Sequence, residues 1–244
     1  MERSSRALAD NGVRPVAMQR KTVVELAVEV LREKILRGDY KENSALRQDA
    51  LAAELGVSRI PVREALRQLE VEGLVTFSPH LGAVVSSLSL AEIEELFQLR
   101  ALIESEVLRV AVNQITDEVL ERAESVLEAY DAAFERGDVA AWGELNWEFH
   151  ATLLAASNRP LTLGVLSTLH NQSDRYIRMQ LELTHGEHRA SDEHHAILKA
   201  AQARNARKAA SLLSAHILGA GTSLVEFLRV HRGLDVHGAP KSSG

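Results

Sequence analysis

The sequence contains no cysteine, which excludes disulfides and thiolate metal sites. Any metal must then be held by His, Asn and carboxylate ligands. Aromatic residues make up only 4% of the chain and proline accounts for five positions of 244. Ala, Leu, Val and Glu are abundant instead, a balance that favours helices. No apolar run reaches the length of a membrane span. The N-terminus has arginines but no apolar segment after them, so a secretory signal is not expected. A cytoplasmic protein without membrane contact is the expectation. Cationic excess is also lacking, since the net charge is -6, which argues against a chain that is a nucleic-acid binder throughout. The distribution is uneven, however. Residues 1–88 carry 13 Lys+Arg against 12 Asp+Glu, net +1, while residues 89–244 carry 15 against 22, net -7. A contact with DNA belongs to the first part.

Residues 1–20 show no hydrophobic period and read as a flexible arm with four arginines. Thr22-Val-Val-Glu25 has capping-box spacing, and Leu26, Val30 and Ile35 continue an apolar face to Leu36 before Gly38. A short helix over about 46–55 closes at Gly56. A third starts at Ser58, tolerates Pro61 in its first turn and ends near Gly73. The stretch "LVTFSPHLGAVVSS" reads as a β-hairpin with a tip of about five residues. Three helices and a hairpin over residues 21–88 make a winged helix-turn-helix. From Ser89, another capping-box start with Glu92, no strand pattern is found. Six helices are expected, over about 90–113, 117–136, 139–156, 161–183, 190–203 and 206–231. Thr116, Asp138, Ser191 and Asn205 are the expected N-caps, and Gly137 and Asn158 the left-handed C-terminal residues. Short loops predict an antiparallel bundle of sequence neighbours over 89–232, with a loose tail at 233–244. The fold class is mainly α.

Arg59, Arg63 and Arg67 are spaced four apart and line one edge of the third helix, beside the apolar set Val62, Ala65, Leu66 and Leu69. The second helix of such a pair inserts its N-terminal part into the major groove. An arginine there can bond two acceptors of one guanine, worth ~1–3 kcal/mol of base discrimination. Ser58 can bond a phosphate at the helix start. The alternative is a solvated face, with Arg67 paired to Glu64 or Glu70. The segments "LREKILRGDY", "LAAELGVSRIPVREALRQLEVEGLV" and "HLGAVV" resemble the DNA-binding segment of GntR-type bacterial transcription regulators, in their FadR-like branch. That resemblance implies that Arg59 and Arg63 reach bases or nearby phosphates and that Arg47 and Ser58 hold the DNA backbone. It places the wing tip, His80 and Gly82, near the minor groove. Glu42-Asn43 departs from the usual Pro-Gly, but Asn tolerates a left-handed turn.

In the second part, Asn146 and His150 lie one helical turn apart, near the apolar Phe149 and Leu153. His194 has Ile197, Leu198 and Ala201 on its face, and His216 lies among Leu212, Leu213 and Ala220. Three such faces could converge in a bundle core, where metal sites are built. A core histidine is more often hydrogen-bonded than metal-bound, and spacing leaves both readings open. His185 and His188 fall in an expected loop. "LFQLRALIE", "NWEFHATLLAASNRPL" and "EHHAILKAAQARNARKAASLLSAHI" look like the FCD effector domain, and six helices suggest its VanR-type subgroup. The resemblance implies a divalent metal on Asn146, His150, His194 and His216, with His194 chosen over His195 by the "EH-x-AIL" match. Asn146 stands where the family more often has Asp, which should weaken the metal. Imidazole-rich ligation suits zinc first. Arg100, or Arg175 from a facing helix, would fork onto a small carboxylate effector; the alternative for each is an internal acid such as Glu104 or Asp174.

The expectation is a ligand-responsive regulator, a repressor by family habit, acting as a homodimer on a palindromic operator in double-stranded DNA. A metal-dependent helical-bundle enzyme is the alternative, since three His ligands with open positions are also a catalytic arrangement. A structural dimer with a metal-free polar core is the third reading.

Overall fold

The computed structural model describes residues 21–184 and 189–232. The expected arm (1–20), the His185 and His188 loop, and the tail with His237 lie outside the described residues.

Helix α1, Val23–Leu36, starts on the capping box: Thr22 Oγ1 accepts from the Glu25 N–H and the Glu25 carboxylate from the Thr22 N–H. Its buried face is Ala27, Val28, Leu31, Ile35 and Leu36. The expected face was rotated too far, since Leu26 and Val30 are 48% and 41% exposed. The stripe that packs is the one facing α3, and helical spacing alone does not say which of two adjacent apolar stripes is covered.

Helix α2, Gln48–Leu55, starts two residues later than expected and ends at Gly56 in the left-handed region, φ 66. Helix α3, Arg59–Val71, completes the helix-turn-helix. Val62, Ala65, Leu66 and Leu69 are all fully buried. Strands β1, Val75–Ser78, and β2, Gly82–Val85, pair antiparallel from Val75↔Val85 to Ser78↔Gly82. Because Ser78 and Gly82 are themselves paired, the wing tip is three residues rather than five. Asn43 takes the left-handed turn, φ 61, and beyond it Ala45 bridges Val84. One apolar core runs through these elements, from Ala27 to Val85.

A second core holds six helices: α4 (Leu90–Ala111), α5 (Asp117–Glu135), α6 (Val139–Ala155), α7 (Pro160–Thr184), α8 (Arg189–Gln202) and α9 (Ala206–His231). Ser89 and Glu92 form the capping box of α4. Thr116, Asp138 and Asn205 cap α5, α6 and α9 through their side chains. Ser191 is not a cap. Helix α8 starts two residues earlier, and the Ser191 hydroxyl donates to Asp131 at 2.6 Å. Gly137 and Asn158 are left-handed, φ 67 and 52.

Packing of sequence neighbours holds for α5–α6, α6–α7 and α8–α9, but the main partner of α4 is α9, from the other end of the chain. At that contact Gly221 leaves no room for a side chain: a Cβ would lie 2.6 Å from the Phe97 Cβ. Helix α9 also corrects the reading that no segment is long and apolar enough to cross a membrane, since by length and composition it is. In the fold it packs against α4 and α8.

The two cores meet along α7. The Tyr176 hydroxyl accepts from the Leu88 N–H at 2.8 Å, and Arg178 approaches Glu33 of α1 at 3.4 Å. Arg232 donates to the Leu88 carbonyl and to Glu42.

Candidate functional site

Three helices each bring one buried imidazole to a common point. His150 on α6, His194 on α8 and His216 on α9 are 2%, 0% and 7% exposed. His194 Nε2 lies 3.3 Å from His150 Nε2 and 3.2 Å from His216 Nε2, and one ring nitrogen of each falls within 4.8 Å of the others. The neighbouring imidazole, His195, points outward to Asp131 at 2.8 Å.

Two carboxylates decide the protonation of these rings. Glu104 on α4 accepts from His150 Nδ1 at 2.8 Å, and Glu193 on α8 accepts from His216 Nδ1 at 2.7 Å. Burial acts to raise the Glu104 pKa, but the Arg100 charge and the bond from His150 outweigh it and hold it at about 2. The bond from His216 lowers that of Glu193. Both acids are therefore acceptors, and each ring's Nδ1 carries the proton donated to them. Burial pushes the pKa of His150 down and that of His194 well down, so neither is an imidazolium. A neutral His194 has one N–H, and at most one of its two Nε2 contacts can be a hydrogen bond. Its Nδ1 is buried without a partner.

A shared cation fits this donor set. Two nitrogens about 2.1 Å from one ion at a tetrahedral angle stand ~3.4 Å apart, close to the separations found. With each ring neutral and its proton on Nδ1, three Nε2 lone pairs would face one another and take a Lewis acid between them.

A cavity of about 130 Å³ opens beside the cluster. Asn146, His150 and His216 line it, as do Arg100, Trp142 and Arg189. Arg100 is 2% exposed; its Nε donates to Glu104 and its Nη1 to Ser173 Oγ, both at 2.9 Å. So Arg100 both reaches the cavity and pairs with the internal acid. Arg175 lies elsewhere: it approaches the carbonyls of Ser86 and Tyr40 at 3.3 and 3.5 Å and does not line this cavity.

Sequence reasoning missed the part played by Glu104, Glu193, Trp142 and Arg189. Glu104 was visible only as a possible partner of Arg100, four residues away. Glu193 reaches from α8 across to α9, and no period along the chain reports such a bond.

The DNA-facing candidates lie on the other module. Arg59, Arg63 and Arg67 are exposed along α3. Arg59 pairs with Asp49 and Arg63 with Glu64. Arg67 bonds Glu70 at 2.9 Å and lies over the Phe77 ring, 4.2 Å from its centroid. Arg67 thus has an aromatic ring as well as an acid of its own domain for partners. Exposed pairs of this kind are worth about 0–1 kcal/mol and yield readily to phosphate. Ser58 and Arg47 occupy the N-cap positions of α3 and α2, and neither makes a side-chain capping bond. His80 and Gly82, φ 74, are exposed at the wing tip.

Comparison with known proteins finds two family models. Residues 24–85 match the bacterial regulatory proteins of the gntR family, and residues 95–219 match the FCD domain. The HTH-type transcriptional repressor GlaR of Escherichia coli (strain K12) is 30% identical over 201 residues, which span 77% of this chain and 89% of that one. The Nta operon transcriptional regulator of Aminobacter aminovorans is 30% identical over 194 residues, 78% of this chain and 89% of that one. Among solved structures, E. coli McbR/YncC aligns over 86% of this chain and 99% of its own, with a TM-score of 0.75 at 22% identity, a likeness of fold.

Proposed function

The chain belongs to the GntR family of bacterial transcription regulators and carries an FCD domain, and from that premise we propose that it is a metal-containing, ligand-responsive repressor. The division of labour follows the two cores: residues 21–88 bind DNA and residues 89–232 bind the effector and hold the dimer together. The observation that carries the reading is the meeting of three buried imidazoles beside a cavity that a guanidinium also lines.

His150, His194 and His216 would hold a divalent ion, zinc first by ligand type, with Asn146 as the fourth candidate. The ion would supply an electrophile for a carboxylate. Glu104 and Glu193 orient the rings and keep their Nε2 atoms free. Arg100, fixed by Glu104 and Ser173, keeps Nη2 without a protein partner among the described residues, available to the same carboxylate. Arg175 is better placed to hold the linker at Ser86 than to meet an effector.

On the DNA side, Arg59 and Arg63 would read bases in the major groove. Arg47 and Ser58 would position the backbone, Arg67 would help through phosphate, and His80 and Gly82 would approach the minor groove. Two copies match a palindromic operator, and the cytoplasm is where such a protein works. Effector binding changes DNA affinity only to the extent that it favours one arrangement of the two modules. An enzymatic reading gains nothing from the relatives, which are named as regulators. The two acids nearest the histidines are also already bonded to ring nitrogens, which leaves neither free as a base.

Native mass spectrometry of the full-length protein, paired with an operator selection at one fixed salt concentration, tests the reading. A dimer with one metal per chain and a palindromic consensus is expected. Metal-free protein with no sequence preference would overturn it.

A further inference from the structure

The cavity beside the histidines has a second polar end. It runs along α9 from His216 past Ala220 to Ser223, and seven helical residues span about 10 Å. Arg189, at the start of α8, lies over the far end, with Nη2 3.4 Å from Ser223 Oγ. Gly219 has no side chain to obstruct it; a Cβ there would lie 3.7 Å from the Arg189 Nη2. Among the described residues the one acid that Arg189 touches is Glu193 at 3.4 Å, whose other oxygen is taken by His216.

Two further observations give the cavity its preference. Among the described residues no Asp or Glu lines it, although two arginines do. Trp142 and Tyr130 line it too, the indole Nε1–H beside the Tyr130 hydroxyl. The space, about 130 Å³, is close to the ~150 Å³ of an interior cavity that admits one benzene ring, so the ligand is short.

We propose that the cavity takes a dianion, a four- or five-carbon aliphatic dicarboxylate. One carboxylate lies at the histidine end beside Arg100 and the other on Arg189 and Ser223. This rests on the reading of the cavity as the effector site. It adds that the far end selects for a second negative charge. The three imidazoles and Asn146 are neutral, so a divalent ion there keeps its full charge, which a dianion balances and a monoanion does not.

Titration calorimetry on the zinc-loaded, full-length protein with succinate against butyrate, and glutarate against pentanoate, compares acids of equal carbon count. Each diacid is expected to bind about ten- to a hundredfold tighter than its monoacid, the scale of one hydrogen-bonded charge. Arg189→Gln should remove most of that gap while leaving monoacid affinity and metal content unchanged, and Ser223→Ala should narrow it. Equal binding of diacid and monoacid, or a full gap in Arg189→Gln, overturns the proposal and leaves the carboxylate site standing. Binding of neither acid overturns the underlying reading as well.

Discussion

Glu104→Gln separates metal binding from packing. Glu104 is fully buried and both its oxygens are in use, Oε1 from Arg100 Nε at 2.9 Å and Oε2 from His150 Nδ1 at 2.8 Å. Glutamine keeps the shape but offers one acceptor and one donor. If its oxygen faces Arg100, its NH2 meets the His150 Nδ1–H, donor against donor. The ring must then move its proton to Nε2, which closes the lone pair aimed at the cluster. If the oxygen faces His150, the NH2 meets the Arg100 Nε–H instead, and in either orientation a guanidinium with 2% exposure loses its counter-ion.

The expected loss of metal affinity is 10- to 100-fold, the usual effect of removing an outer partner of a ligating histidine, or about 1.4–2.7 kcal/mol. Removing one member of a buried ion pair costs about 3–5 kcal/mol. The Arg100–Ser173 bond survives and argues for the lower end, so the metal-free protein should melt ~6–12 °C lower. Glu193→Gln is the control. Its side chain is 34% exposed, so metal affinity should fall comparably with little change in the metal-free melt. Competition with a chromophoric chelator measures the first quantity and calorimetric melts of metal-free protein the second. A Glu104→Gln protein that binds metal as the wild type does would refute the tautomer argument. An unchanged metal-free melt would refute the burial argument.

His194→Ala and His216→Ala should each lose stoichiometric metal by elemental analysis; a full load in both would rule out the ligand set. Asn146→Asp should tighten metal binding in the same chelator competition, because it puts a negative charge beside the cation, and unchanged affinity would mean that Asn146 is not a ligand. Arg63→Ala should weaken operator binding by about 1–3 kcal/mol and relax base preference with an unchanged melt, while Arg67→Ala, already tied to Glu70 and Phe77, should do less; equal effects in a binding assay would dismiss that distinction. Gly221→Ala should destabilise by about 1–3 kcal/mol, read from denaturant melts, because its Cβ would strike Phe97 at the α4–α9 contact; a wild-type melt would mean that the two helices separate at little cost.

Much of the fold was legible because local chemistry is strong here. The capping boxes at Thr22 and Ser89, the caps at Thr116, Asp138 and Asn205, and the left-handed Gly56 and Gly137 each act within one turn of the chain. The errors arose where a neighbour in space decides. Leu26 and Val30 carry the right residue types for a buried face, yet α3 covers the adjacent stripe. Ser191 has a capping side chain, but Asp131 on another helix takes it.

The same boundary runs through the candidate site. Sequence by itself determined that His150, His194 and His216 each lie on an inward face of a helix, and that Arg59 and Arg63 do not, because apolar periodicity is a property of one helix at a time. Only the tertiary structure decided that the three rings share one point and that Glu104 and Glu193 fix their tautomers. It also turned Arg175 toward the linker, while Arg189 closes the cavity that Arg100 enters. Those outcomes depend on how α4, α6, α8 and α9 are rotated against one another. That rotation is set by the packing of the whole core, down to the missing side chain at Gly221, rather than by any spacing along the chain.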